Sequence, residues 1–486
     1  MTSESPVIIA GAGPVGLWLA AELRLAGVPV TVLEKTTERP AYTRGVGMHA
    51  RTLEVLAMRG MAGRPLAEGR RMPAWHFGML PSLLDFGRLD TEFPFVLAYP
   101  QQFLEDMLEQ HVIERGATVV RGRTVTGLTR GPSSVSVHTD GPDGPRTFDG
   151  SYVVGCDGAG STVRKAAGIA FPGSDATLYG YLGDVVLDDP PPQGSGTFAG
   201  PGGALIMAPL PGGRYRVAGF DPCDQSPDAP LDFEALRASV VRAAGRDFGM
   251  RDATWLSRFG NATRQAEHYR SGRVLLAGDA AHMHMPAGGV GMNVGIQDAM
   301  NLGWKLAAVA RGRADGELLD TYEHERHPIG AALLRNTLAQ TALIATFSPE
   351  GLALREVLSE AIAAHPALSH DLARGLSGID VTYPAADTAS HPLTGQRVPN
   401  LPIGDSDLFT VLFDGRPVLL GFEESAAGTK AAACAAEVGV TVCRAEPWPG
   451  QDRLRGVLVR PDGHVWGATD DPALDEMTGI IETLWS

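Results

Sequence analysis

Three glycines near the start of the chain, Gly11, Gly13 and Gly16, have the type and spacing of a phosphate-binding turn. In such a turn the first glycine permits tight curvature, the second lets a pyrophosphate approach the backbone, and the third lets a helix pack closely against a strand. Pro14 lies within this turn, before the helix. The helix N-terminus favours an anion, because its N–H groups are unpaired and its dipole is positive there. These residues therefore predict the binding of a dinucleotide.

The elements around the turn are those that a dinucleotide site requires. Residues 7–10 predict an apolar strand, and residues 17–26 have a helical pattern that Gly27 ends. A second strand, predicted at residues 30–33, ends on Glu34, about 20 residues after the turn, where an acidic side chain holds ribose hydroxyls. Glycine-rich turns also occur without a ligand, but the complete series argues against that alternative. It does not distinguish FAD from NAD.

Two later segments carry acidic residues after predicted strands. A strand at residues 152–155 precedes Asp157-Gly158, and Ser161 is placed to cap the next helix. A buried strand at residues 274–277 delivers Asp279 at its C-terminal end, where ligands bind in open α/β sheets. The loop at residues 288–291 then leads into a helix, whose positive end favours a negatively charged group on a bound ligand.

With these motifs the sequence resembles the flavoprotein aromatic hydroxylases of the para-hydroxybenzoate hydroxylase type, and most of all the bacterial hydroxylases that tailor aromatic polyketides such as angucyclines and anthracyclines. The resemblance extends over nearly the whole chain. It implies FAD as the bound cofactor. It also implies that Asp157 serves both FAD and NAD(P)H function, and that the Asp279 side chain hydrogen-bonds the ribityl chain.

Two further polar residues match the family. Arg44 resembles its arginine near the flavin and pyrophosphate, and Gln101 resembles its ribityl-contacting glutamine. Arg51 and Gln102 remain alternatives for these roles. The residues expected to bind the cofactor are Gly11, Gly13, Pro14, Gly16, Glu34, Lys35, Arg44, Gln101, Asp157, Asp279, Pro286, Gly289, Gly291, Met292 and Asn293.

The resemblance implies a single-component, FAD-dependent monooxygenase. In this family NAD(P)H, here NADPH more than NADH, delivers hydride to FAD, O2 adds at flavin C4a, and the hydroperoxide transfers oxygen to an electron-rich phenolic ring. No second glycine fingerprint follows a strand in the sequence, so we expect NAD(P)H to bind transiently. The tryptophan signature of flavin halogenases is also absent from the sequence. The substrate-activating base stays unassigned.

Two other functions remain open. Baeyer-Villiger oxygenation of a polyketide ketone or quinone uses the same scaffold, and the sequence does not exclude it. A flavin-dependent sensor or binding protein is the non-enzymatic alternative. It predicts the loss of Glu34, Asp279 or the loop at residues 288–291, and all three are present.

The FAD motifs lie in separated stretches, so the chain between them forms insertions. The expected fold is α/β, with a Rossmann-like FAD-binding domain, an inserted, mainly antiparallel β-sheet substrate domain and a C-terminal thioredoxin-like domain. Substrate-domain strands are predicted at residues 177–187, 204–210, 214–220 and 254–259. The expected domains are residues 1–72, 100–175 and 269–335 for FAD, 73–99 and 176–268 for the substrate, 336–385 for a helical connection, and 386–486 for the C-terminal unit.

The two insertions supply apolar side chains near the cleft that we expect at the domain boundary. A core position explains any single one of them at least as well. No charged cluster there would hold a small charged substrate, so a large, flat, apolar aromatic ligand fits better. The candidates for substrate contact are Trp75, Phe77, Met79, Phe86, Phe93, Phe95 and Phe259.

The C-terminal unit is predicted to contain a strand at residues 417–420, a helix at 428–438, a strand at 441–443 and a hairpin at 456–466. Asp462-Gly463 is a strong signal for the hairpin turn. Cys434 and Cys443 have no CxxC spacing, so we expect this unit to be redox-silent.

Composition limits the partners. The formal net charge of -15, from 41 Lys and Arg against 56 Asp and Glu, opposes binding to nucleic acid and to anionic membranes. Four scattered cysteines argue against a disulfide framework or structural zinc, and His282-Met283-His284 lies inside a flavin motif without further ligands, so we expect no metal. We expect a cytoplasmic enzyme that uses O2 and an apolar small molecule. A homodimer stays open.

Overall fold

The structure is a computed structural model, and it describes residues 5–192, 194–226, 229–385, 390–422, 430–446, 448–471 and 474–485. The strands, in chain order, are β1 (Val7–Ala10), β2 (Val30–Glu34), β3 (Gly47–Met48), β4 (Arg70–Met72), β5 (Ala74–His76), β6 (Leu83–Asp85), β7 (Val96–Ala98), β8 (Thr118–Arg121), β9 (Thr124–Arg130), β10 (Val135–Asp140), β11 (Arg146–Gly150), β12 (Tyr152–Gly155), β13 (Gly173–Ser174), β14 (Tyr179–Leu187), β15 (Gly196–Gly200), β16 (Gly203–Leu210), β17 (Arg214–Phe220), β18 (Met250–Gly260), β19 (Thr263–Gln265), β20 (Arg270–Ser271), β21 (Val274–Leu276), β22 (His282–Met283), β23 (Pro402–Ile403), β24 (Ser406–Asp407), β25 (Val418–Gly421), β26 (Thr441–Arg444), β27 (Gly456–Val459) and β28 (Val465–Thr469). The helices are α1 (Pro14–Leu25), α2 (Ala50–Ala57), α3 (Gly63–Glu68), α4 (Gln101–Glu114), α5 (Thr162–Ala166), α6 (Phe233–Ala244), α7 (Gly291–Ala310), α8 (Asp320–Ile344), α9 (Pro349–Ala364), α10 (Pro366–Ser377), α11 (Leu408–Val411), α12 (Lys430–Glu437) and α13 (Asp475–Glu482). None of the helices in these ranges combines the length and apolarity that a bilayer crossing needs.

A six-stranded sheet, in the order β20-β21-β12-β1-β2-β8, assembles chain segments that lie far apart in sequence. All its neighbouring strands are parallel except β20, which pairs antiparallel with β21. Every residue of β1 and β12 is buried, as expected for parallel strands covered on both faces. The C-terminal ends of β1, β2, β12 and β21 therefore meet at one edge, where ligands bind in such sheets.

Helices α1 and α7 cover this sheet and approach each other closely at two glycines of α7. A Cβ on Gly295 would lie 2.6 Å from the Val15 side chain, and one on Gly303 would lie 2.5 Å from Cβ of Glu22. The predicted helix at residues 17–26 is confirmed, but it begins three residues earlier, at Pro14. Proline is favoured at the first helical position because its missing N–H would have had no partner there.

The four strands predicted for the substrate domain form a five-stranded antiparallel sheet together with β15, which was not predicted, in the order β15-β16-β17-β14-β18. One face packs on α6 through an apolar cluster that includes Tyr181, Val217 and Leu236. The other face carries Phe220 and Phe259, which belong to a different apolar cluster. This alternation follows from the two-residue period of a strand.

The first insertion does not join that sheet. Its strands β5 and β6 form a hairpin, and Phe77 and Phe86 there pack in one apolar cluster with Leu333 of α8 and Leu376 of α10. Strand β7 instead pairs with β3 and with β4 in a small separate sheet. The assignment of the first insertion, residues 73–99, to the substrate domain stays a prediction.

The C-terminal unit contains a four-stranded sheet in the order β26-β25-β27-β28, with β25 and β26 parallel and the other pairs antiparallel. Helices α12 and α13 pack on it in one apolar cluster. The predicted hairpin is confirmed. Its turn is closed by the Gly463 N–H donating to the Arg460 carbonyl at 2.9 Å, and Gly463 has a φ of +75°, which glycine adopts without strain.

The hairpin turn is buried against α7 and α8 by an ionic network. Arg460 donates to both carboxylate oxygens of Glu325, at 2.7 and 2.9 Å, and pairs with Asp462 at 2.5 Å. Lys305 reaches Glu325 at 2.7 Å. Each of these four side chains is at most 7% exposed, so the network joins the C-terminal unit to the helices that cover the parallel sheet.

We expect Arg460→Met to lower the free energy of unfolding by roughly 3–5 kcal/mol, because it leaves Glu325 and Asp462 buried without their main counter-charge. Denaturant unfolding at neutral pH measures the loss, and Arg335→Met, on the exposed face of α8, serves as the control. The pKa of Glu325 is lowered to about 2 from 4.5, because the nearby cations outweigh its burial. Its stabilising contribution is complete above pH 4.5 and is lost as the pH falls toward 2. An unchanged stability of Arg460→Met would contradict the network's role.

Candidate active site

A cavity of about 570 Å³ lies at the C-terminal ends of β1, β2, β12 and β21. It brings together eleven of the fifteen residues that the sequence predicts as cofactor ligands. These are Gly11, Gly13, Pro14, Glu34, Lys35, Arg44, Gln101, Asp157, Asp279, Gly291 and Met292. The other four, Gly16, Pro286, Gly289 and Asn293, do not line it.

The glycine-rich turn forms the floor of the cavity. Gly11 has a φ of +105°, and a Cβ there would lie 2.3 Å from the Cys156 carbonyl oxygen. A Cβ on Gly16 would lie 2.1 Å from the carbonyl oxygen of Gly11, so this glycine permits packing and does not face the cavity. At Gly13 a Cβ would meet no atom within 4 Å. The space beside Gly13, next to the start of α1, is therefore open to a phosphate group.

Glu34, the last residue of β2, lines the cavity. Its carboxylate accepts from the Ala12 N–H at 2.9 Å and from the N–H and hydroxyl of Thr36, both also at 2.9 Å. Burial acts to raise the pKa of Glu34, but these hydrogen bonds hold that pKa below its ordinary value. The side chain is thus an ionised acceptor at the end of β2, with lone pairs left for ribose hydroxyls.

Asp157 uses its carboxylate to build the turn in which it lies. The carboxylate accepts from the backbone N–H groups of Thr162 and Val163, at 2.7 and 3.1 Å, and from the Ser161 hydroxyl at 2.5 Å. Ser161 in turn accepts from the Arg164 N–H at 2.9 Å, which confirms it as the N-cap of α5. The role of Asp157 toward a bound cofactor stays a prediction.

Asp279 stands exposed in the short turn after β21 and lines the cavity. The buried Asp298 holds this turn, since it accepts from the Gly278 N–H at 3.1 Å, from His282 Nε2 at 2.7 Å and from Arg326 Nε at 2.7 Å. Burial acts to raise the pKa of Asp298, but Arg326 and His282 keep that pKa below its ordinary value. His282 is thus a structural residue. The described part of the chain has no cluster of three or more metal-ligating side chains.

The structure separates the two candidate arginines. Arg51 is buried, pairs with Glu54 at 2.8 Å and donates to the Asp462 carbonyl at 2.7 Å, so it belongs to the contact with the C-terminal unit. Arg44 is exposed and lines the cavity. The two glutamines are not separated in this way, because Gln101 and Gln102 both line it.

Asn293 lies in the first turn of α7 with its side chain directed inward. Its Oδ1 accepts from the His49 N–H at 2.8 Å, and its Nδ2 donates to the carbonyls of Gly47 and Gly289, at 3.0 and 2.8 Å. Its backbone N–H, in contrast, is one of the groups at a helix N-terminus that have no partner in their own helix. Pro286 and Gly289 are exposed on the loop just before it.

Sequence patterns did not indicate several polar residues of the cavity. Arg39 lines it and forms ion pairs with Glu105, Asp106 and Glu109 of α4. Arg121 of β8 also lines it and pairs with Glu109 at 2.6 Å. Arg121 reaches the site because β8 pairs with β2, and Arg39 because the segment after β2 contacts α4, so no local motif marks either residue.

The substrate candidates fall into three places. Met79 and Phe259 belong to an apolar cluster with Met285 and Ala287, next to the loop before α7. Phe77 and Phe86 are buried in the apolar cluster that includes residues of α8 and α10. Phe93 and Phe95 are buried in the main hydrophobic core. Trp75 packs beside Phe77 and Phe86, and its indole N–H donates to the Gly288 carbonyl at 3.2 Å.

A contact that the sequence did not indicate ties the five-stranded sheet to the cavity. Tyr42, which lines the cavity, stacks on Trp255 of β18 with ring centroids 4.3 Å apart. Arg216 of β17, paired with Asp184 at 2.9 Å, donates to the carbonyl of Arg44 at 3.1 Å. The sequence predicted Phe259 of the same strand as a substrate contact, but it did not indicate Trp255.

Comparison with known proteins agrees with this geometry. Residues 4–337 match the family model described as FAD binding domain, and residues 391–484 match that described as aromatic-ring hydroxylase, C-terminal. The chain is 44% identical to an aromatic compound monooxygenase of Bacillus subtilis, over 98% of this chain and 96% of the relative. It is 43% identical to the 12-dehydrotetracycline 5-monooxygenase/anhydrotetracycline 6-monooxygenase of Streptomyces rimosus, over 98% of each chain. The solved structure of the anhydrotetracycline hydroxylase OxyS from Streptomyces rimosus superimposes with a TM-score of 0.89 and 42% identity over 99% of each chain.

We expect Asp279→Ala to raise the dissociation constant of FAD about 10- to 100-fold, because the ribityl chain would lose a charge-assisted hydrogen bond worth roughly 1.5–3 kcal/mol. Titration of the apoprotein with FAD, followed by flavin fluorescence, measures this constant. Asp279→Asn keeps a hydrogen-bonding group and should lose less of the affinity for FAD. Asp405→Ala serves as the control, because Asp405 is an exposed residue of the C-terminal unit. Equal affinities in all four proteins would mean that Asp279 is not a flavin ligand.

Proposed function

This chain belongs to the family of FAD-binding aromatic-ring hydroxylases, and we propose on that premise that it is a single-component monooxygenase that hydroxylates a large, apolar, polycyclic aromatic substrate. The observation that carries the proposal is the cavity with Gly13, Glu34 and Asp279 in place, next to an apolar cluster on the five-stranded sheet. The relatives named as anhydrotetracycline monooxygenases support a substrate of the aromatic polyketide class.

The residues of the cavity fit FAD. Its pyrophosphate would lie at the open face of Gly13, a ribose would bind Glu34, and the ribityl chain would bind Asp279. The first N–H groups of α7, at Gly291 and Met292, would meet the flavin ring and favour its negative charge when it is reduced. When bound, FAD supplies the redox chemistry, by accepting hydride from NAD(P)H and activating O2.

The substrate is proposed to bind between the five-stranded sheet and the loop before α7. The cluster at this boundary joins Met79, Phe220 and Phe259 with Met285 and Ala287, and each of its members is apolar. Apolar side chains at such a boundary would recognise a ring system by burying its apolar area and would exclude water from the reacting atoms. The protein's task is therefore to orient the ring against the cofactor, and we assign no residue as a base.

NAD(P)H is proposed to bind transiently, NADPH more readily than NADH, because the sequence has one glycine fingerprint only. The dependence on NAD(P)H supports a location in the cytoplasm. The net charge of -15 supports the absence of a nucleic-acid partner. A homodimer and Baeyer-Villiger oxygenation of a ketone or quinone stay open as finer alternatives.

We expect a bound polycyclic phenol to accelerate reduction of the flavin by NADPH, since gating by substrate avoids loss of reduced flavin to O2. Anaerobic stopped-flow reduction with and without anhydrotetracycline, after its binding has been shown, measures this acceleration. In air, mass spectrometry should find one added oxygen atom in the product, and its NMR spectrum distinguishes ring hydroxylation from insertion beside a carbonyl. Absence of NADPH oxidation with every polycyclic phenol that binds would overturn the proposed function.

The double variant Cys434→Ala, Cys443→Ala should turn over at the wild-type rate. Cys434 lies in α12 and Cys443 in β26, both are free thiols, and burial raises the pKa of each, which disfavours the reactive thiolate. Steady-state NADPH oxidation with substrate measures the rate, and circular dichroism checks the fold. A large loss of turnover in a folded double variant would mean that the C-terminal unit takes part in electron transfer.

A further inference from the structure

The peptide bond between Gly288 and Gly289, in the loop before α7, is flanked by two residues with a φ of +71°. Glycine enters this region without the steric cost that other residues pay, and it adopts other conformations equally readily. A peptide between two glycines can therefore rotate so that its carbonyl and its N–H exchange directions. Something outside the loop must fix which of the two groups faces the cofactor.

Two side chains hold the Gly288 carbonyl in the structure. His49 Nε2 lies 3.0 Å from the carbonyl oxygen, and Trp75 Nε1 donates to the same oxygen at 3.2 Å. His49 is fully buried, and burial lowers its pKa to about 4, so the ring is neutral at physiological pH. Its Nδ1 has no hydrogen-bond partner, so the ring proton belongs on Nε2, where it is donated to Gly288.

The neighbouring carbonyl of the same loop is held as well. Asn293 Nδ2 donates to the Gly289 carbonyl at 2.8 Å, and Asn293 Oδ1 accepts from the His49 N–H at 2.8 Å. The two carbonyls are thus drawn toward side chains on the protein side of the loop. Gly289 itself is exposed, and a Cβ there would meet no atom within 4 Å.

We infer that Trp75 and His49 are positioning residues for the flavin, which keep the Gly288 carbonyl turned away from the cofactor that the proposed function requires. A reversed peptide would direct the negative end of a carbonyl dipole toward the side on which reduced flavin carries its negative charge. With the carbonyl held back, the positive start of α7 acts on the flavin without this opposing dipole. Trp75 thus acts through Gly288, and this role differs from the direct substrate contact predicted from the sequence.

The test is the midpoint potential of FAD bound to Trp75→Phe, measured with neither substrate nor NADPH present. Phenylalanine keeps most of the packing and removes the indole N–H. We expect the preference of the protein for reduced over oxidised flavin to fall about threefold to tenfold, which lowers a two-electron potential by about 15–30 mV. Trp18→Phe is the matched control, because Trp18 is fully buried and its indole N–H has no partner.

A second pair of variants separates positioning from stability. His49→Gln retains a donor for the Gly288 carbonyl and should keep the wild-type potential, whereas His49→Leu should lower it. The inference would be overturned if Trp75→Phe and His49→Leu both kept the wild-type midpoint potential of bound FAD. It would also be overturned if Trp18→Phe lowered this potential as much as Trp75→Phe does. A change in substrate affinity of Trp75→Phe at an unchanged potential would return Trp75 to the role of substrate contact. Because these measurements need only bound FAD, a failure to hydroxylate polycyclic phenols would overturn the proposed function alone.

Discussion

The cavity depends on how closely three pieces of backbone approach one another at the end of β1. Gly11 lies so close to the Cys156 carbonyl, and Gly16 so close to Gly11, that any side chain at either glycine would overlap backbone atoms. Helix α7 likewise packs closely against α1 at Gly295 and Gly303, where a side chain would overlap atoms of α1. Because glycines stand at these contacts, β1, β12, α1 and α7 can approach one another closely. The residues at the ends of these elements therefore surround the same cavity.

Helix α8 carries two consecutive charged residues that serve different parts of the molecule. Glu325 accepts from Arg460 of the C-terminal hairpin, and Arg326 pairs with Asp298, which holds the turn before Asp279. Both residues are almost fully buried, so each depends on its partner to offset the loss of hydration. The C-terminal unit and the turn that carries Asp279 are therefore stabilised through one stretch of the same helix.

The sequence predicted those parts of the structure that a local pattern encodes. Apolar runs marked four of the six strands of the first large sheet and four of the five strands of the second, and the spacing of glycines and acids marked the cavity residues Gly13, Glu34 and Asp279. Arg39 and Arg121 were missed, because their place depends on which strands become neighbours. Arg51 and Trp75 show a second limit. Their side-chain types suit a cofactor or a substrate, but partners more than 200 residues away in the chain, Asp462 and Gly288, decide their roles.

The burial of the hairpin turn at residues 460–463 has a consequence for how this architecture evolves. The C-terminal unit has an apolar cluster of its own, but its hairpin turn supplies the counter-charge for a glutamate of α8. Exchange of this unit between relatives would succeed only if the donor's hairpin and the recipient's α8 carried complementary charges. The two parts are therefore expected to be inherited and to diverge together, as a single unit of selection.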